Sequence, residues 1–133
     1  MGARTGTAAV TFPSSFGTVT VTPKTIKISN AGNYVAAALG PAGDAFFTFT
    51  TSNGLLTQTA NIPTAGISDN ALNFDSTSSY LFVGTTLATA GDSFIATYPI
   101  SSTGVLQNIG NAATVPSGDS PASLECCCNP PLE

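Results

Sequence analysis

Residues 29–56, SNAGNYVAAALGPAGDAFFTFTTSNGLL, are echoed by residues 75–106, DSTSSYLFVGTTLATAGDSFIATYPISSTGVL. Tyr34 aligns with Tyr80, Gly43 and Asp44 with Gly91 and Asp92, Phe46 with Phe94, Gly54 with Gly104 and Leu56 with Leu106. The offset grows from 46 to 50 residues along the unit, so small loop insertions separate the copies. ISDNALNF (67–74) matches SGDSPASL (117–124), and PKTIKIS (23–29) reads as the same element ahead of the first unit. A repeat near 50 residues constrains the fold strongly, because each copy must adopt one local structure and bury its apolar face on its neighbour.

That local structure is β. GTVTVT (17–22) alternates Val with Thr, and TIKIS (25–29) alternates Ile with polar residues. NYVAAAL (33–39), AFFTFTT (45–51), SYLFVGTT (79–86) and SFIATYPI (93–100) follow, each bounded by Gly, Pro, Asn, Asp or Ser clusters. Helix formers are sparse, and Pro or Gly interrupts every stretch long enough for three turns. The chain is therefore expected to be all-β, with about four antiparallel strands per repeat and two to two and a half propeller-type repeats. The predicted organisation is an N-terminal strand segment (1–22), a first repeat (23–74), a second repeat (75–124) and a Cys-rich tail (125–133).

The string DSTSSYLFVGTT…DSFIATYPISSTGVLQNIG…VPSGDSPASL resembles a blade of the lactonase-type, 6-phosphogluconolactonase-like propellers, which are seven-bladed, over roughly residues 23–124. Those blades carry a Tyr-Leu-hydrophobic-Val strand, an Ile-x-x-Tyr-x-Ile strand, a Thr-Gly-x-Leu turn and a closing Ser-Pro. The motifs are shared with surface-layer and YVTN-type propellers, so they speak to fold before function. The first unit departs from the pattern at its close, where ISDNAL replaces the Ser-Pro, and FVGTT (82–86) has Gly-Thr where the family blades have Ala-Asn. Two repeats also fall short of the four to eight blades of a closed ring, so the resemblance implies other copies of the chain or further blades of a longer one.

The chemistry available to such a unit is narrow. The chain has no His, which removes the commonest general base and excludes a Ser-His-Asp triad within it. Arg4, Lys24 and Lys27 are its only cations against seven acids, too few to form a nucleic-acid-binding stripe. No apolar run reaches the ~20 residues of a membrane-spanning helix. PSGDSPAS (116–123) reads as an inter-blade turn rather than a nucleophile elbow. Asp44 and Asp92 sit at aligned positions and admit two readings: a repeated calcium or ligand contact on one rim, or a carboxylate that caps its own turn. Asp69 and Asp75 form the one local acidic cluster. Tyr34, Tyr80, Phe46, Phe94 and Phe49 read as core side chains in preference to a sugar-binding surface.

Cys126, Cys127 and Cys128 are adjacent and match no zinc spacing, and there is no fourth Cys for them to bridge to. They read as an irregular extension or as intermolecular disulfide candidates. Only 8% of residues are charged, about a third of the usual ~25%, and the Thr/Ser-rich polarity suits a secreted or cell-surface β protein. Its apolar N-terminal run is too short for a signal peptide, so secretion implies a leader already removed. The expected role is non-catalytic and structural: self-association, with protein or glycan binding at a loop rim and no cofactor. Two alternatives stand beside it, a fragment of a lactonase-type enzyme acting on sugar lactones and a strand-rich subunit of an extracellular fibre.

Overall fold

Alternating Val/Thr and Ile/polar segments become strands throughout, and no helix occurs among the described residues. In the computed structural model these are residues 15–16, 18–62, 67–87, 93–107, 111–115 and 121–125; Asp92, Cys126, Cys127 and Cys128 lie outside them. A short hairpin of β1 (Ser15–Phe16) and β2 (Val19–Thr20) precedes two four-stranded antiparallel meanders. The first contains β3 (Thr25–Ile28), β4 (Tyr34–Ala38), β5 (Asp44–Thr50) and β6 (Leu55–Ile62). The second contains β7 (Ile67–Phe74), β8 (Tyr80–Leu87), β9 (Ser93–Pro99) and β10 (Asn111–Val115). The fold is all-β, as the repeat implied. The unit boundary differs: residues 67–74, read as the end of the first unit, pair with β8 and open the second sheet. Each sheet thus begins with its own copy of the PKTIKIS element.

Alternation assigns each strand two faces, and the first sheet is apolar on both. Ala36, Ala38 and Phe46 point toward the second sheet and share a core with Leu72, Phe74, Leu81, Val83, Ala96 and Tyr98. Ala37, Ala45 and Phe47 point the other way, with Val19, Val21, Val35 and Leu56 packed around them. The first core joins the sheets, with the Phe46 ring 5.4 Å from Tyr34 and 6.2 Å from Phe74.

Equivalent turns lock the pair in register. Ser29 N–H donates to the Tyr34 carbonyl at 3.0 Å, and Asp75 N–H donates to that of Tyr80 at 3.1 Å. Each turn needs one left-handed residue, supplied by Gly32 (φ 71°) in one copy and Ser78 (φ 60°) in the other. Serine is unfavourable there, but Ser78 Oγ accepts a hydrogen bond from Ala31 N–H at 3.1 Å, so its side chain ties the two turns together. At the same end of the strands, Gly104 (φ 75°) packs on the first sheet so closely that a Cβ would meet Thr48 Cγ2 at 2.9 Å and Tyr34 Cε1 at 3.0 Å.

The ladders correct one detail of the repeat. Tyr34 faces Thr48 and Tyr80 faces Pro99, so the register counterpart of Phe46 is Thr97, while Phe94 lies opposite Thr85. The second hairpin extends to Leu87 where the first ends at Ala38, and an alignment by residue identity cannot see that extension. Tyr80, expected in the core, is 44% exposed at the start of its strand.

Phe46 is fully buried between the sheets, so Phe46→Ala should cost about 3–5 kcal/mol. Urea unfolding checks this; a loss below ~1 kcal/mol would show that the two sheets do not share this core.

Candidate functional site

Three copies of one element converge on a single cleft. β3, β7 and residues 121–125 lie side by side, and Thr25, Lys27, Ala71, Leu72, Ala122, Ser123 and Leu124 line a space of about 70 Å³ between them. At one end it meets a wider pocket of about 210 Å³ that takes in Lys27, Asn30, Asn73, Asp75, Ser76 and Glu125. Alternation in β3 turns Lys27 toward the cleft and Ile26 away from it, while Ile28, at the end of the strand, borders the wider pocket.

Lys27 Nζ lies 3.5 Å from Glu125 Oε1, an exposed pair that orients more than it stabilises. Asn73 Nδ2 donates to the Leu124 carbonyl at 3.0 Å and holds the third copy in place. Burial alone would raise the Asp75 carboxyl, but the hydrogen bonds it accepts from Thr77, Tyr80 and Ser79 together hold it below the ordinary carboxylate range. The pocket therefore presents an ammonium, two carboxylates, two amides and a hydroxyl, donors and acceptors suited to a polyhydroxylated ligand.

The second polar feature is buried. Asp44, at the start of β5, is 0% exposed, and Asp69 of β7, 3% exposed, lies close enough to act on its charge. The β4–β5 loop that leads into Asp44 is joined to β7 where Gly40 and Asp69 exchange backbone N–H···O bonds, both 3.0 Å. Thr85 Oγ1 donates to Asp69 Oδ1 at 2.7 Å. Burial, reinforced by Asp69, pushes the Asp44 carboxyl up to about 8. Burial raises Asp69 to about 6 against the opposing Thr85 hydrogen bond. Tyr98 is also raised, by burial first and then by Asp44 and Asp69. Near neutral pH the two carboxyls thus hold roughly one proton between them.

Asp44 accordingly sits inside the blade joint and not on an exposed rim, and its register counterpart in the second sheet is Ile95. Asp92 and the three Cys lie outside the described residues. The Asp69–Asp75 cluster of the sequence divides, Asp69 entering the joint and Asp75 serving the turn. No group of three or more His, Cys, Asp or Glu side chains gathers among the described residues. Lys27, Asn73 and Glu125 escaped the residue-level reading; Lys27 opposite Ala36 and Asn73 opposite Phe82 are register counterparts, and Glu125 lies one residue past the repeat that ends at Leu124.

Two solved structures share this fold. A putative 6-phosphogluconolactonase from Bacteroides fragilis superposes with a TM-score of 0.61 at 25% identity, over 77% of this chain and 28% of its own. The periplasmic gluconolactonase of Pseudomonas aeruginosa superposes with a TM-score of 0.54 at 19% identity, over 68% of this chain and 26% of its own. The two sheets are blades of the lactonase-type propeller fold, and the chain spans little more than a quarter of either relative. No family model matches the chain, and no curated protein matches it in sequence.

Both raised carboxyls bind more protons folded than unfolded. Their contribution to stability is complete below the ordinary value of 3.8 and is lost as pH rises through about 6 and then about 8. Asp44→Asn, which mimics the protonated acid, should flatten the fall of Tm between pH 4 and 9. At pH 9 it should exceed wild type by at least ~4 °C, the equivalent of about 1 kcal/mol. Parallel Tm profiles for the two proteins would remove the pair from the pH response.

Proposed function

We propose that the chain supplies two blades of a lactonase-type propeller and that its inner cleft binds a sugar lactone or the corresponding aldonate without hydrolysing it. The observation that carries this reading is the convergence of three inner-strand copies on one polar pocket. Propeller blades surround a central channel with their innermost strands, and a concave site with a few convergent polar groups is the usual seat of a small ligand. Lys27 offers charge to a carboxylate or phosphate, Asn30 and Asn73 offer amides to hydroxyls, and Asp75 and Glu125 offer acceptors. The substrate class comes from the names of the two structural neighbours, a 6-phosphogluconolactonase and a gluconolactonase.

Binding without turnover follows from the groups present. The carboxyls of raised pKa are sealed in the blade joint, Asp75 is held ionised by its own turn, and the chain has no His. Low charge and Thr/Ser-rich polarity support a secreted or cell-surface setting, as does the periplasmic location of one neighbour.

Titration of the labelled protein with gluconate and with 6-phosphogluconate should shift the side-chain amides of Asn30 and Asn73. Lys27→Met should weaken binding at least ~5-fold, the loss of about 1 kcal/mol. Hydrolysis of either lactone should stay at the spontaneous rate. Unshifted Asn30 and Asn73 at saturating ligand, or turnover by the chain alone, would overturn this reading.

A further inference from the structure

Among the described residues, register leaves apolar surface partly uncovered on each side of the blade pair. Ile26 faces Ala37 and Ile28 faces Val35 in the first sheet; Leu72 faces Val83 and Phe74 faces Leu81 in the second. Ile26 and Ile28 are therefore the counterparts of Leu72 and Phe74. The latter are 1% and 3% exposed in the core between the blades, the former 60% and 64% exposed. The first sheet presents toward solvent the apolar edge that the second uses to dock on its neighbour.

The matching acceptor is the outer face of the second sheet. Its Phe82 and Gly84 are the counterparts of Ala36 and Ala38, which receive Leu72 and Phe74 in the existing joint. Phe82, Ile95, Thr97 and Ala113 line an apolar groove of about 360 Å³ on this face, with Asn73, Leu124 and Glu125 along its border. Residues 121–125 already occupy part of the face. Pro121 sits over Gly84 so closely that a Cβ on Gly84 would meet Pro121 Cβ at 2.6 Å, and Leu124 is held by Asn73. By repeat alignment this segment is a third copy of the element that contains Ile26 and Ile28.

We propose that the outer face of the second sheet docks the Ile26/Ile28 face of a second copy of this chain, head to tail, and that residues 121–125 are a self-contained competitor for the same seat. The association repeats the geometry of the internal joint and so propagates in one direction, closing into a ring or continuing according to the angle between copies. When the second copy arrives, its β3 replaces the 121–125 segment at the inner position. The acceptor groove shares Asn73 and Glu125 with the ligand pocket, so displacement of residues 121–125 would also remove Glu125 from that pocket; association is therefore read on ligand-free protein, where its outcome does not depend on the ligand reading.

Gly84→Ala separates competitor from partner. The added methyl collides with Pro121, whereas its counterpart Ala38 already carries a Cβ and accepts the neighbouring blade. In sedimentation velocity over a concentration series, Gly84→Ala should self-associate at least tenfold more tightly than wild type. Ile28→Glu, at an exposed position that leaves the fold intact by circular dichroism, should weaken association at least tenfold. Ile28→Glu mixed with Phe82→Glu should form a heterodimer, because each retains the face that the other has lost. A Gly84→Ala protein that is folded and no more associated than wild type would overturn the proposal. So would an Ile28→Glu protein that associates as wild type does, or folded Ile28→Glu and Phe82→Glu proteins that stay apart on mixing.

Discussion

Phe74 and Leu72 of one blade lie against Phe46, Ala36 and Ala38 of the other, and the remaining geometry depends on this contact. It pairs large side chains with small ones, so the second sheet descends onto the alanine-lined strand β4 without a void. The same choice leaves β4 little bulk of its own. Ala36, Ala37 and Ala38 contribute to both cores by letting other side chains approach. A sheet built this way is poorly satisfied alone, because its apolar area is held by neighbours on either face. The N-terminal segment covers part of one face through Val19 and Val21, and Thr22 N–H bonds the Leu39 carbonyl at 3.0 Å.

The polar joint is coupled to this packing. Asp69 contributes its backbone to the bridge with Gly40 and its side chain to Thr85, so one residue sets both the approach of β7 and the hydrogen bonding behind it. Burying Asp44 beside it carries an electrostatic cost that an apolar pair would avoid. Protonation lowers that cost, which is why the blades are held most firmly when the pair carries its protons. Stability at the blade joint is therefore linked to protonation of the pair, although neither carboxyl faces the open cleft.

Local chemistry made the strands and turns legible. Alternation named the strands, and the turns ahead of Tyr34 and Tyr80 are aligned by their small polar composition and by the tyrosine that ends each one. Registers across hairpins were less visible. Phe46 and Phe94 share a residue type and a preceding Gly-Asp, yet the ladder separates them by three positions, because hairpin length is set by pairing that the alignment does not contain. The acid pair was obscured for a similar reason. An Asp after Gly looks like a turn residue, and its partner Asp69 is brought to it by the packing of one sheet on another. Lys27 and Asn73 belong to two copies of a weak motif and Glu125 directly follows a third, so their meeting follows from blade stacking and from no local signal.

The division between faces and edges bears on how such units assemble. An exposed strand edge invites pairing with any other chain, and the outer strand β6 carries the uncharged sequence LLTQTANI. Its ladder with β5 is interrupted between Phe46 and Phe47, and the bulged Thr59 turns its hydroxyl onto the Gly104 carbonyl at 3.4 Å. A bulge bends and twists a strand, which degrades the edge as a template. The bulged residue is thereby tied to the other blade instead of being offered to a partner. The faces are covered only in part, by Val19 and Val21 on one side and by residues 121–125 on the other, and Ile26 and Ile28 stay exposed beside one and an apolar groove beside the other. Apolar burial on a face is governed by shape, whereas edge pairing is governed by a backbone pattern common to all strands. Under the proposed head-to-tail association, docking through the faces would therefore be a more selective route than pairing through the edges.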